Sequence, residues 1–119
     1  MSYDITFRAK LEGIDTYVVV GDCEANTTQN VRKMIKLSTG LPWKNCENNG
    51  LCKDVIPHIK KGLEELEKHP EKYKPYEAEN GWGTVESAAR FFRDIIEAWN
   101  NLGLYEGTEV ANVATFWIE

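Results

Sequence analysis

Cysteine and histidine side chains offer the most familiar chemistry in this chain of 119 residues. Cys23, Cys46, Cys52 and His58 match the donor set of a zinc site with three thiolates and one imidazole. Five residues separate Cys46 from Cys52 and Cys52 from His58, whereas paired zinc-binding cysteines usually have about two to four between them. An odd number of cysteines is typical of free thiols in a reducing compartment. The sequence therefore predicts free thiols, no metal site and no cofactor.

A possible general base is the second candidate for chemistry. Asp54 and His58 are four residues apart, so on a helix they are neighbours, and a carboxylate that orients an imidazole is a familiar base arrangement. The same spacing is equally common in surface pairs, and no third group completes the arrangement. We therefore predict no catalytic residue and no enzyme, and a small hydrolase is the most remote of three functional hypotheses.

The segment Asn80-Gly81-Trp82-Gly83 is the most distinctive local feature. In the preferred interpretation, Trp82 packs back over the first turn of the following helix and Asn80 makes a local Asx turn. In the alternative, free N–H groups near Gly83 and Thr84 face a bound anion or nucleotide on which Trp82 stacks.

A second polar segment has the same ambiguity. Asn26, Thr28 and Asn30 suit a helix start, where their side chains would cap backbone N–H groups. They could equally form the polar half of a ligand site together with Asn80 and Trp82. A module that sequesters a small, nucleotide-like ligand is therefore the second functional hypothesis.

The charge balance bears on the class of partner. With 14 basic and 19 acidic residues, the formal net charge is -5, which works against direct binding of nucleic acid. Glu64, Glu65 and Glu67, with Glu77 and Glu79 nearby in sequence, could instead cover a basic surface of a partner protein. Any one of these glutamates could also serve only solubility. The favoured hypothesis is a binding protein that acts by stoichiometric contact with a host or phage protein.

These side chains must be positioned by a small mixed fold. Polar and apolar residues alternate over residues 4–11, and residues 16–21 are rich in β-branched side chains, which predicts a hairpin. Residues 113–118 also have strand composition. The predicted fold class is α+β: a small antiparallel three-stranded sheet in the order β-β-α-α-α-β, packed on one face by helices, in a single domain over residues 1–119.

Three helices and one irregular loop connect the predicted strands. Apolar spacing predicts helices after residue 30, from about residue 54 to residue 69, and from Thr84 to about Gly103, with a short turn near residues 71–73. Residues 41–50 are rich in turn formers and predict a loop anchored by Trp43. So small a sheet has an exposed edge that could pair with a second copy of the chain, so a homodimer is compatible with the sequence.

The longest apolar run, residues 17–20, is too short to cross a bilayer, and no targeting signal stands at the N-terminus. We therefore expect a cytoplasmic protein with no membrane partner.

Three segments together carry a family resemblance. Ser2-Tyr3-Asp4-Ile5, Asn26-x-Thr28-x-Asn30-Val31 and Asn80-Gly81-Trp82-Gly83 resemble the pattern of a family of small uncharacterised proteins encoded by bacteriophages and prophages. The resemblance covers residues 2–100 and does not include Cys46, Cys52 or Glu119. It implies a phage accessory protein in the bacterial host cytoplasm, for instance an inhibitor of an anti-phage or CRISPR-type defence protein. It transfers no activity and no residue roles.

Overall fold

The sheet is antiparallel throughout. The computed structural model describes residues 2–13 and 15–119, and within them the sheet has five strands. They are β1 (Ser2–Ala9), β2 (Val18–Val19), β3 (Asn26–Thr28), β4 (Glu47–Leu51) and β5 (Thr115–Ile118). The order is β2-β1-β5-β4, and β3 also pairs with β1. The predicted α+β class, the hairpin and the return of the last strand to β1 are confirmed, whereas the expected number of three strands is wrong.

The first of the unexpected strands, β3, follows from the length of β1. The arm β2 pairs only with Arg8 and Ala9, which leaves the beginning of β1 without a partner on that side. Asn26–Thr28 pairs with Ser2–Asp4, and the N–H of Ile5 donates to the carbonyl of Ala25 over 3.0 Å. The expected helix start is therefore shifted: Asn26 and Thr27 belong to the strand, whereas Thr28 ends the strand and caps the helical turn Gln29–Val31, as its side chain predicted.

The second unexpected strand, β4, lies in the segment predicted as a loop. The side chain of Asn49 holds the turn before it, since it accepts from the N–H of Lys44 and donates to the carbonyl of Lys44, both over 2.9 Å. The strand then pairs with β5, with an irregular register between Asn48 and Leu51. Backbone pairing with β5 has overridden the low strand propensity of this asparagine-rich segment. The irregularity of β4 and the shortness of β2 both blunt the sheet edges against further pairing.

Five α-helices accompany the sheet in the described residues: α1 (Arg32–Thr39), α2 (Cys52–Lys68), α3 (Pro70–Tyr73), α4 (Val85–Tyr105) and α5 (Thr108–Val113). Two 3₁₀ turns, Gln29–Val31 and Lys74–Tyr76, lie before α1 and after α3. The three main helices and the short turn are confirmed, although α2 begins two residues earlier than expected and α5 was not predicted. Thr84 caps α4, because its Oγ1 accepts from the N–H of Ser87 over 3.0 Å while its own N–H donates to the Ser87 hydroxyl over 2.8 Å. In the described part of the chain, no helix combines the length and the apolar character needed to cross a bilayer.

Trp43 lies at the centre of the core. It is 1% exposed, and its ring packs against those of Tyr3, Phe91, Phe92 and Phe116, with centroids 5.7 to 6.1 Å away. Its indole N–H donates to Oγ1 of Thr39 over 3.0 Å. A buried tryptophan needs such a partner for its one polar atom. The prediction that Trp43 anchors its segment is confirmed.

One face of the sheet carries this core. Tyr3, Ile5, Phe7 and Ala9 of β1 are buried and alternate with half-buried polar residues. On the opposite face, the guanidinium of Arg8 lies 4.8 Å from the centre of the Trp117 ring. Helices therefore cover one side of the sheet, and the other side is partly covered by its own side chains.

Candidate functional site

The backbone of the loop before α4 makes hydrogen bonds on both sides. We call residues 80–83 the Trp82 loop. The N–H of Trp82 donates to Oδ1 of Asn80 over 2.9 Å, which confirms the predicted Asx turn, and the N–H of Gly81 donates to the carbonyl of Ala78 over 3.1 Å. From the other side, the side-chain Nδ2 of Asn30 donates to the backbone carbonyl of Trp82 over 3.1 Å. The loop is thus fixed to its own neighbours and to a segment distant in sequence.

The Trp82 ring, in contrast, points into solvent. It is 70% exposed, so the expectation that it packs over the first turn of α4 is wrong. Gly83 explains the difference, because its backbone is buried so tightly that a Cβ there would meet Cβ of Asn30 at 3.0 Å and Cγ1 of Val31 at 3.1 Å. The glycine backbone, and not the indole, fills the space beside Asn30 and Val31.

The structure joins most of the predicted polar residues to this loop. Oγ1 of Thr28 accepts from the N–H of Asn30 over 3.3 Å, and Asn30 in turn holds the Trp82 carbonyl. Thr28, Asn30, Asn80 and Trp82 therefore belong to one hydrogen-bonded unit. Asn26 does not, because it lies at the opposite end of β3, exposed and paired through its backbone with Asp4.

The N-terminus of α4 offers few free donors for an anion. The N–H of Val85 donates to Oε2 of Glu77 over 2.7 Å, and the N–H groups of Thr84 and Ser87 bond to each other's hydroxyls. A carboxylate of the chain itself therefore occupies the place where a bound anion would sit. This geometry does not fit the stacking of a nucleotide over the helix N-terminus.

The three glutamates of α2 have different environments. Glu64 pairs with Lys68 over 2.7 Å, and this hydrogen bond and charge lower the pKa of Glu64 and raise the pKa of Lys68. Glu65 is half-buried, and its Oε2 has no hydrogen-bond partner in the described residues. Burial raises the pKa of Tyr73, and the charge of Glu65 raises it further. Of the predicted acidic residues in this helix, only Glu67 is exposed and outside any ion pair among the described residues.

A basic surface lies beside the Trp82 loop and was missed from the sequence. We call it the basic groove; it is a shallow groove along α1 lined by Gln29, Asn30, Arg32, Lys33, Lys36 and Leu37. The described residues place no acidic group within ion-pair distance of Arg32, Lys33 or Lys36. Lys36 follows Arg32 by four positions and Lys33 by three, so on a helix it lies beside both. This spacing could have predicted a basic surface from the sequence. The negative charge of the whole chain concealed it.

The residues considered for metal binding or catalysis differ in burial, and the two least accessible thiols, Cys23 and Cys52, lie close enough for the charge of one to act on the other. Burial raises the pKa of Cys23 to about 11 and that of Cys52 to about 12, so both thiols are protonated at neutral pH. Cys46 is exposed. Asp54 and His58 are exposed on α2, and no hydrogen bond between them is present in the described residues. Those residues also contain no group of three or more His, Cys, Asp or Glu side chains suited to a metal ion.

No protein-family model, no curated protein and no solved structure matches this chain.

Proposed function

We propose that this protein acts by stoichiometric contact with a partner protein and that Trp82 is the centre of the contact. The observation that carries the proposal is the contrast between a backbone fixed by hydrogen bonds on both sides and an indole ring that is 70% exposed. Tryptophan is prominent among the few residues that supply most of the affinity of protein interfaces. A loop that is already ordered loses little conformational entropy on binding.

The family resemblance indicates where the partner is found. Residues 2–100 resemble phage and prophage proteins, and the Trp82 loop is one of the three segments that carry this resemblance. A phage accessory protein that acts by contact has bacterial proteins as its natural targets. We therefore propose a host protein as the partner, with a component of a defence system as the first class to examine.

The two other hypotheses have less support. A small ligand is usually enclosed in a pocket, whereas the groove beside Trp82 is shallow and the donors at the start of α4 are already paired. A hydrolase centred on Asp54 and His58 lacks a bonded base and an orienting third group in the described residues. The acidic version of the contact surface is also weaker, because Glu64 is paired and Glu65 is half-buried.

The test is to isolate a host protein with the tagged chain, purify it and measure the affinity by titration calorimetry. The unchanged protein is compared with Trp82→Ala and with a control variant, Tyr105→Ala. Tyr105 is a suitable control because it is an aromatic residue at the far end of α4 and is 78% exposed. We expect a defined stoichiometry, a loss of about thirtyfold in affinity for Trp82→Ala and little change for Tyr105→Ala. Equal affinities for all three proteins would refute the proposal. A Trp82-dependent fluorescence response to nucleotides would favour ligand sequestration instead.

A further inference from the structure

We infer that the basic groove receives an acidic polypeptide segment of the partner. The inference rests on the proposed function, because it extends the contact from Trp82 along α1. It places the contact on a basic surface, whereas the sequence predicted a contact through the acidic residues of α2. The glutamates of α2 would face solvent, while the cations of α1 would face the partner.

The charge distribution is the first argument. The whole chain has a formal net charge of -5, yet Arg32, Lys33 and Lys36 all lie on one short helix, α1. The four ion pairs in the described part of the chain involve Arg8, Lys68, Lys74 and Arg93, so none of them neutralises the groove. Three cations with no carboxylate in an ion pair among the described residues produce a local positive potential on an acidic protein. The complementary surface on a partner is negative.

Continuity with the Trp82 loop is the second argument. Asn30 lines the groove and also holds the Trp82 carbonyl, so one residue belongs to both surfaces. Nζ of Lys33 lies 5.0 Å from the ring centre of Tyr76, in the segment that leads toward the loop. Leu37 adds an apolar contact and is 54% exposed. A partner that covers Trp82 therefore finds cations and an exposed leucine beside it.

A polypeptide fits this surface better than nucleic acid or a small anion. Tight binding of nucleic acid usually needs many basic residues in contact with phosphates. This groove has only three cations, and the protein as a whole is negatively charged. A small anion would remain largely in solvent in so shallow a groove. An acidic segment with apolar side chains can use the cations, Leu37 and Trp82 together.

The test uses fluorescence anisotropy with a labelled, glutamate-rich peptide that carries one leucine. The groove variant combines Arg32→Glu, Lys33→Glu and Lys36→Glu. The matched control combines Lys44→Glu, Lys53→Glu and Lys60→Glu, which are exposed lysines outside the groove and change the net charge equally. We expect the groove variant to bind about tenfold more weakly than the control variant, because three exposed ion pairs become repulsive. Binding to the unchanged protein should weaken as salt is added.

Two results would overturn the inference. In one, the groove and control variants bind the peptide equally well. In the other, a single-stranded oligonucleotide binds more tightly than the peptide and loses its binding in the groove variant, which would assign the groove to nucleic acid. If charge reversal impairs folding, glutamine at the three groove positions and the salt dependence provide the same comparison. Trp82→Ala against the purified partner tests the proposed function separately, so that either proposal can fail alone.

Discussion

The side chain of Asn30 holds the backbone carbonyl of Trp82 over 3.1 Å, although the two residues are 52 positions apart in sequence. The bond connects the helical turn just before α1, Gln29–Val31, to the loop that precedes α4. It therefore ties the basic groove and the exposed indole into one surface. The orientation of that surface should depend on this single side chain.

Replacing Asn30 by alanine should loosen the Trp82 loop without unfolding the protein. The backbone N–H of residue 30 can still donate to Thr28, so only the bond to the loop is lost. Since Asn30 is exposed, we expect a loss of less than about 1 kcal/mol in the free energy of unfolding. Amide hydrogen exchange in residues 78–83 should accelerate, whereas Asn45→Ala should leave it unchanged. Unchanged exchange in Asn30→Ala would show that the loop is held by other contacts.

Gly83 and Gly81 should differ in their tolerance of a side chain. Both have positive φ, at +104° and +77°, but a Cβ on Gly83 would meet Asn30 and Val31, whereas nothing lies within 4 Å of one on Gly81. We expect Gly81→Ala to cost about 1 kcal/mol from backbone strain and Gly83→Ala about 3 kcal/mol from strain and close contact. Denaturant unfolding measures both. Equal costs would mean that the contact at Gly83 relaxes freely.

The sequence predicted local elements better than pairing. Thr84 followed by a broad apolar face predicted α4, and capping chemistry together with helical spacing is strong evidence for one long helix. In contrast, Asn26–Thr28 and Glu47–Leu51 are strands only because β1 and β5 offer them backbone partners. Glu47–Leu51 lacks the composition of a strand, and Asn26–Thr28, despite its two threonines, is too short to be recognised from composition. Pairing between distant segments is a tertiary effect that local patterns do not record.

The candidate site could be predicted only in part. The sequence singled out Asn30, Asn80 and Trp82 from their turn chemistry, and the structure joins these three residues by hydrogen bonds. The sequence placed the indole wrongly, since the burial of Gly83 depends on Val31, which is distant in sequence. It also missed the basic groove, because a net charge sums over residues that the fold separates.

Thr39 should be far less replaceable than its neighbour Ser38. The Thr39 hydroxyl donates to the carbonyl of Ile35 over 2.6 Å and accepts from the N–H of Leu41 and the indole of Trp43. Thr39→Val keeps the shape but leaves two donors without their partner. We expect a cost of about 1–3 kcal/mol, more than for Ser38→Ala, which removes one bond of 3.3 Å. Unfolding curves for the two variants test this order, and an equal loss would contradict it.

The three thiols should react with a disulfide reagent at very different rates. Cys46 is exposed, whereas burial raises the pKa of Cys23 to about 11 and that of Cys52 to about 12. Because the thiolate is the reactive form, one thiol should react rapidly at pH 8 and the others slowly until the protein unfolds. Cys46→Ala should abolish the rapid phase. A rapid phase that survives this substitution would show that a buried thiol is accessible.

The same burial should make the protein less stable at alkaline pH. Cys52 has a folded-state pKa of about 12, compared with an ordinary value of 9.0, so the folded protein keeps a proton that the unfolded chain loses. The contribution of Cys52 to the free energy of unfolding is therefore complete below pH 9 and is lost as the pH rises toward 12. Between these values the free energy of unfolding should fall by about 1.4 kcal/mol per pH unit for this thiol.

Cys23 acts in the same direction over a narrower range, because its pKa is raised to about 11. Cys52→Ala should therefore flatten the decline between pH 9 and pH 11, and Cys46→Ala, at an exposed position, should not. Urea unfolding at several pH values measures the slopes. Identical slopes for the unchanged protein, Cys52→Ala and Cys46→Ala would mean that Cys52 ionises as readily in the folded protein as in the unfolded chain, which its complete burial argues against.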